Sequence, residues 1–350
     1  MKKIGIVTLY GQTNYGNKLQ NYALVEYLKS NDFKVDTIVV DEKKKVRRFI
    51  ANIYVKSKKY CNNFWKEIYS NKRIRKFKIF SNQYLSYRFL TRKQFFNLMD
   101  IDILIVGSDQ VWNPSFIVDN EEVFYLSTLN KITKISYAAS FGMSSIEKNH
   151  LLKMKSYLSS FKWISVRENE AKKLLNDYFE NIDIVLDPVF LLSCDYWENS
   201  FNLKKPLVKE RYILTYFLGK KDSTTDEQIN ELKNKSDIKL IELNSDEDYE
   251  YYDSDPQSFL NLFYNASVIF TDSFHGTAFS IIFKKDFYVF SRNSKNNMDS
   301  RITTILDIVD LKNRFNSTNF FAQEINYSRV TKLLQVKIDE SKLKLLNNIG

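Results

Sequence analysis

Short, β-branched apolar runs alternate with helical patterns along almost the whole chain, and few folds accept that order. Lys3–Leu9 is the first run. The loop Tyr10-Gly11-Gln12-Thr13-Asn14-Tyr15-Gly16-Asn17 follows, and then Leu19, Ala23, Leu24, Tyr27 and Leu28 recur at three- and four-residue spacing. Val35–Val40 is the next run. A strand, a helix and a strand in so short a stretch require a parallel pair, because the crossover helix must carry the chain back. The same reading expects strands at 102–106, 132–139, 162–166 and 182–186, with helices over 147–160 and 168–179. From Tyr212 the alternation restarts: strand 212–218, helix 224–235, strand 238–243, helix 256–265, strand 267–271, helix 274–284, strand 287–290, helix 299–310. A last helical stretch over 324–347 has Tyr327, Val330, Leu334 and Ile338 on one face.

At 350 residues the chain exceeds the roughly 250–300 at which single cores stop growing. Residues 190–210 lack periodicity, include Pro206 and are expected to be a linker. The expected fold is therefore α/β and GT-B-like, with two Rossmann-like, doubly wound domains facing each other across a cleft. They span 1–190 and 205–322, and helix 323–350 is expected to pack back on the first. Ligands of such sheets sit outside the carboxyl ends of the strands. That directs attention to loops 10–17, 107–114, 140–144, 187–189, 219–223, 244–250 and 272–276.

Net charge is +10, yet 17 Lys/Arg against one acid, Glu67, lie between Lys43 and Lys93, so the rest of the chain is slightly acidic. The basic residues alternate with Phe49, Ile50, Ile53, Tyr54, Phe64, Trp65, Ile68, Ile74, Phe77 and Phe80. That pattern suits peripheral contact with an anionic membrane, or equally a solvated helical face. No zinc-finger, RNP1 or helix-turn-helix pattern supports a nucleic-acid partner. Two cysteines are too few for a disulfide framework, and Cys61 and Cys194, far apart, match no metal-ligand spacing. No signal-peptide core or run of about 18 apolar residues occurs, so a cytoplasmic chain is expected, at most at the inner face of the plasma membrane.

His275 is one of two histidines, and the strand Val268–Thr271 delivers Asp272, Ser273, Phe274 and His275 straight into a helix start. A helix N-terminus binds anions, Asp272 or Ser273 can cap it, and a histidine there can carry a proton near neutral pH. A capped helix whose histidine bonds only backbone is the competing reading. Loop 11–17 offers the amides of Asn14 and Asn17, with Gly11 and Gly16 to turn the chain before a helix, and has no Walker or dinucleotide pattern; a plain βα turn explains it as well. Gly107-Ser108-Asp109-Gln110-Val111-Trp112-Asn113-Pro114 places a carboxylate, amides and an indole after a strand. Trp112 there can stack on a sugar or fill a core. Arg167, in Ser165-Val166-Arg167-Glu168, can grip a carboxylate or phosphate, or pair with its neighbour on the surface.

In series these stretches resemble the polysaccharide pyruvyl transferase family. The matches are Ile4-Gly5-Ile6-Val7-Thr8 with Asn14-Tyr15-Gly16-Asn17-Lys18-Leu19-Gln20, Val106-Gly107-Ser108-Asp109-Gln110-Val111-Trp112-Asn113, Ser136-Tyr137-Ala138-Ala139-Ser140-Phe141-Gly142, Ser165-Val166-Arg167-Glu168, Asp187-Pro188, and Thr271-Asp272-Ser273-Phe274-His275-Gly276. The resemblance implies two Rossmann-like domains and transfer of pyruvate from phosphoenolpyruvate to a sugar, with ketal formation and phosphate release. The acceptor it implies is a cell-surface or capsular glycan precursor, on a polyprenyl diphosphate carrier. It implies no metal and no cofactor beyond the phosphoenolpyruvate donor. It carries the family histidine onto His275 and the strand-end arginine onto Arg167. Asp272 is expected to assist His275. Arg167, Ser273, Gly276, Thr277 and Arg301 are expected on the donor side, and Asn14, Tyr15, Asn17, Asp109, Gln110 and Trp112 on the acceptor side. Many relatives read Arg-Leu-His where this chain has Ser273-Phe274-His275, so another cation (Arg167, Lys284, Lys285, Arg292 or Arg301) is expected to replace that arginine. A nucleotide-sugar glycosyltransferase of the same architecture is the competing activity.

Overall fold

A computed structural model describes residues 1–40, 64–118, 120–127, 129, 131–236, 238–245, 250–292, 299–321 and 323–350. The first half is built on β1 (Lys3–Val7), α1 (Tyr15–Lys29), β2 (Lys34–Val40), α2 (Phe64–Tyr84), β3 (Tyr87–Leu90), α3 (Arg92–Phe96) and β4 (Ile103–Val106). Two short helices, α4 (Pro114–Ile117) and α5 (Glu121–Phe124), precede β5 (Thr133–Ser136) and α6 (Lys148–Leu158). After them come β6 (Ile164–Val166), α7 (Asn169–Asn176) and β7 (Ile182–Ile184). All pairs are parallel, in the order β3-β2-β1-β4-β5, and single bridges from Ile135 to Trp163 and from Ala139 to Val166 carry the sheet on to β6-β7.

The second half contains β8 (Tyr212–Tyr216), α9 (Ser223–Ser236), β9 (Lys239–Leu243), α10 (Pro256–Asn265), β10 (Val268–Thr271), α11 (Phe274–Ile282), β11 (Asp286–Val289) and α12 (Ser300–Ile308). Between the halves lie a 3₁₀ turn, Pro188–Leu191, and α8 (Cys194–Phe201); α13 (Tyr327–Ile349) ends the chain. The second sheet is also parallel, ordered β9-β8-β10-β11.

Strand order reverses between β1 and β4 in one sheet and between β8 and β10 in the other. At such a reversal the two following loops diverge and leave a crevice for ligand. Here the register makes the crevices level: Val7 pairs with Val106, and Tyr216 with Thr271. The loops after Val7 and Val106 are then tied together by Thr8 Oγ1 donating to Ser108 O at 3.0 Å. Both sheets therefore present their switch points to the same cleft. This is the GT-B-like arrangement of two Rossmann-like halves.

The halves share one apolar core. Tyr15 of α1 stacks on Phe259 of α10 with ring centroids 4.5 Å apart and also meets Phe77 of α2. Trp197 of α8 packs against Tyr22 on one side and Phe279 on the other. Residues 190–210 are thus more than a linker: Ser193 caps α8, and Trp197 and Phe201, four residues apart, are buried between the halves. The last helix spans both halves: Tyr327 at its start donates to Ser280 O at 3.4 Å in the second half, and its later turns meet the first. Ser341 Oγ accepts from Leu186 N at 3.0 Å, and Lys344 pairs with Asp183 at 2.7 Å.

Of the basic segment, residues 43–63 lie outside the described residues. The remainder is α2, whose Phe77, Phe80 and Arg73 face inward, then β3, an edge strand that the sequence pattern did not predict. No helix among the described residues is long and apolar enough to cross a membrane.

Candidate active site

The two switch points enclose a cavity of about 1160 Å³. Its first-half wall is loop 8–14, Gly16, Asn17, Asp109 and Gln110; its second-half wall is Ser273, Phe274, His275, Arg292 and Arg301. α1 and α11 both begin at this cavity. Asn14 caps α1 by accepting from Asn17 N at 3.0 Å, and Ser273 caps α11 by accepting from Gly276 N at 3.3 Å. Each such cap contributes about 1 kcal/mol to its helix. The N–H groups of Phe274 and His275, in the first turn of α11, donate to nothing among the described residues. They are the orphan donors that make helix starts anion receptors.

The two helix starts touch. A Cβ added to Gly16 would overlap the His275 imidazole, so glycine at the second position of α1 is what lets a ring from the other half sit against it. His275 Nε2 then lies 3.7 Å from Asp187 Oδ2, beyond hydrogen-bond length, and has no closer partner.

Beneath the cavity is a buried charge network. Arg167 Nη1 donates to Asp187 Oδ2, and Nη2 to Asp109 Oδ1 at 3.3 Å. Asp187 Oδ2 also accepts from Ser108 Oγ at 2.9 Å, and Asp109 Oδ2 accepts from Asn17 Nδ2. Burial alone would raise the Asp187 carboxyl; the charge of Arg167, then the nearby His275 and the Val189 N–H, outweigh it and hold Asp187 ionised well below the usual range. Glu168 Oε1 fixes the neighbouring loop, accepting from Ser140 Oγ, Phe141 N and Gly142 N at 2.8–3.3 Å.

Arg301 stands above this network. Its Nη1 is 4.0 Å from Asp109 Oδ1, and its buried Nε has no partner. Burial, and then the nearby Arg167, lower its pKa to about 10 against the pull of Asp109 and Glu168. It remains a cation at neutral pH with donor capacity to spare. Among the described residues no group of three His, Cys, Asp or Glu side chains is placed to hold a metal ion.

Residues 14–294 match the family described as polysaccharide pyruvyl transferase. The chain belongs to the polysaccharide pyruvyl transferase family. No curated protein matches it. Among solved structures it is similar to UDP-GlcNAc 2-epimerase from Methanocaldococcus jannaschii, with 15% identity, 97% of this chain and 93% of that one covered, and a TM-score of 0.48. It is similar also to UDP-GlcNAc 2-epimerase from Neisseria meningitidis bound to UDP-GlcNAc, with 11% identity, 98% and 100% covered, and a TM-score of 0.47.

For a transferase of this family the placement of the expected residues differs from their sequence reading in several ways. His275, Ser273, Arg301, Asn14, Asn17, Asp109 and Gln110 line the cavity. Asp272 does not act beside His275: its carboxylate accepts from Leu218 N and Gly219 N, each at 2.7 Å, and from Arg292 Nε at 3.2 Å. It orders loop 217–222 and aims Arg292. Arg167 is buried under the cavity with Nη1 on Asp187 and Nη2 on Asp109, so it positions carboxylates and does not line the cavity. Gly276 serves packing, since a Cβ there would overlap Thr271 Oγ1. Thr277 is fully buried, with its hydroxyl on Ser273 O at 3.0 Å.

On the acceptor side, Tyr15 is a core residue whose hydroxyl donates to Ser254 O at 2.9 Å. Trp112 is fully buried against Phe141, its indole N–H on Phe124 O at 3.3 Å. Neither reaches the cavity.

The cations expected to replace the arginine of Arg-Leu-His fall in different places. Arg292 and Arg301 line the cavity, whereas Lys284 and Lys285, past the far end of α11, do not. Two residues were not singled out as site residues from sequence. Asp187 was read only as part of a motif, yet it is the carboxylate nearest His275 Nε2. Arg73, hidden in the basic run, reaches the cavity from α2 and donates to Thr13 O, Asn244 Oδ1 and Tyr252 O, joining loops of both halves. Its spacing from Phe77 and Phe80 was the available signal, since all three fall on one helical face.

Proposed function

We propose that the chain transfers pyruvate from phosphoenolpyruvate to two hydroxyls of a sugar in a cell-surface or capsular polysaccharide precursor, carried on polyprenyl diphosphate, forming a ketal and releasing phosphate. One observation carries the reading: a proton carrier, His275, borders the same cavity as two arginines and the open first turn of an anion-receiving helix. Phosphoenolpyruvate brings a phosphate and a carboxylate, which suits Arg292, Arg301 and the N–H groups of Phe274 and His275.

In this reading His275 gives a proton to the enol CH₂, and the cation that develops at C2 is attacked by one sugar hydroxyl, whose proton returns to His275. The phosphate then departs with that proton, and the second hydroxyl closes the ketal and reprotonates the imidazole. Asp187 stabilises the imidazolium form, and positioned acid–base transfer of this kind contributes about 10²–10⁴ in rate. Asn14, Asn17, Asp109 and Gln110, on the opposite wall, are suited to orienting sugar hydroxyls. Both loops are anchored on strand ends, so donor and acceptor are held by separate halves.

The test is incubation with phosphoenolpyruvate and a lipid-linked oligosaccharide, followed by phosphate assay and mass spectrometry. Phosphate release with a pyruvate increment on the acceptor supports the reading. A hexose increment from a nucleotide sugar, with phosphoenolpyruvate inert, refutes it.

A further inference from the structure

The outer face of α2 has no part in the chemistry above. Its inner face is committed: Phe77 and Phe80 enter the core and Arg73 joins the two halves. Lys72, Ile74, Arg75, Lys78 and Ile79 are exposed, and their spacing puts them on one helical face. Over residues 72–79 that face carries three cations and no acid. Its two isoleucines are 40% and 54% exposed, an unusual fate for a residue type that normally goes inside.

The face also reaches the cleft. Ile74 lines the cavity, as does Phe116 of α4, itself 54% exposed, and Val118 beside it is more exposed still. Among the described residues bordering this surface, Asp253 is paired with Lys76 and Glu122 with Arg92. The neighbouring sequence from 43 to 63 adds eight Lys/Arg and no acid. Cations that flank exposed aliphatic and aromatic side chains match a lipid interface: the charges meet anionic headgroups and the apolar side chains enter the acyl boundary. A nucleic-acid groove would call for stacking aromatics set among the cations, and over residues 72–79 of α2 the exposed apolar residues are aliphatic.

We propose that the exposed face of α2, with Phe116 and Val118 at the cavity mouth, docks the protein on an anionic phospholipid surface. The cavity mouth would then open at the bilayer, where an acceptor on a lipid carrier resides. The docking surface goes beyond the transfer reading and stands apart from it, because partition onto vesicles is measured without turnover.

Flotation of the full chain with vesicles of phosphatidylglycerol and phosphatidylcholine, against phosphatidylcholine alone, tests it. Each basic residue near an anionic surface contributes about fivefold to partition, so Lys72→Glu, Arg75→Glu and Lys78→Glu together should cut it at least about 100-fold. Ile74→Ser with Phe116→Ser should lower binding to anionic vesicles at high salt, where the apolar contribution is what remains. All five positions are exposed, so unchanged melting temperatures will show that the variants fold. Equal binding to both vesicle types, or a triple variant that binds like the parent, would overturn the proposal. So would indifference to vesicles combined with binding of single-stranded RNA through the same residues. Failure of the transfer reading would leave vesicle binding intact, and the two outcomes are separable.

Discussion

Gly16→Ala is the sharpest test of the composite site, because stability and activity should respond differently. Gly16 is the second residue of α1, and alanine in a helix is favoured over glycine by about 1 kcal/mol. On local grounds the substitution should therefore stabilise the protein. The obstacle comes from the other half of the molecule, since the added Cβ would overlap three atoms of the His275 imidazole. If the ring stays, overpacking costs about 1–3 kcal/mol and largely offsets the helix gain. If it swings aside, that cost is avoided but the proton carrier leaves its place, and a displacement near 1 Å is worth about 100-fold in rate. Net stability should therefore move by less than about 2 kcal/mol in either direction, while turnover falls about 100-fold. Chemical denaturation and phosphate release with saturating phosphoenolpyruvate measure the two effects. Turnover within twofold of the parent would refute the argument, because an imidazole that tolerates the methyl group cannot be acting from beside Gly16.

His275→Ala should lower kcat by about 10²–10⁴ with donor saturating and leave the fold intact; unchanged kcat would remove His275 from the chemistry. Arg301→Gln should raise the KM for phosphoenolpyruvate at least about tenfold, since a charge-assisted bond is worth about 1.5–3 kcal/mol, and leave acceptor KM alone; the reverse split would move Arg301 to the acceptor side. Trp112→Phe removes the bond to Phe124 O and leaves a void in a fully buried place, so it should cost about 2–4 kcal/mol with acceptor KM unchanged, whereas a large rise in acceptor KM would restore Trp112 as a sugar platform. Lys18, buried against Tyr10 and donating to Tyr87, has its pKa lowered by burial to about 8 from 10.5. The unfolded chain thus holds this proton more tightly than the fold. The cost of the buried ammonium, about 3 kcal/mol from that difference, is present below pH 8 and disappears as pH rises from 8 to 10.5. Lys18→Met lacks that titration, so the parent should gain about 3 kcal/mol relative to the variant over this range in denaturant unfolding. A gap that stays constant with pH would show that Lys18 titrates normally in the fold.

The fold was legible because its signal is periodic. β-branched runs and helical spacing survive averaging over neighbours, and parallel pairing follows from the crossovers alone. Misplaced boundaries have local causes. The run 132–139 was expected to be one strand, but only Thr133–Ser136 pairs regularly, because Ala138 adopts a φ of 49° and turns the chain away. The edge strand Tyr87–Leu90 was obscured by the charges around it, and α8 by its brevity, two turns in which only Trp197 and Phe201 stand at helical spacing among buried residues.

Site residues were legible to a different degree, because a residue's chemical type shows what it can do and not what it is already bonded to. Asp272, Ser273 and His275 are adjacent in sequence and were read as one anion site with an acid. In the fold the aspartate turns back onto loop 217–222, the serine closes the helix, and only the histidine borders the cavity without a hydrogen-bond partner for Nε2. Arg167 met the same fate: the strand end that aims it toward the cleft also places it between Asp109 and Asp187, 58 positions before it and 20 after. Those partners cannot be inferred from spacing, since they depend on strand order. The converse holds for Arg301, which no local motif marks. It is a ligand candidate because its neighbours leave its Nε unpaired in a buried place that opens on the cavity. Unspent bonding capacity next to empty volume marks His275 and Arg301, and also Arg73, whose buried Nε is unpaired at the same cavity; these properties arise only when the two switch points are brought face to face.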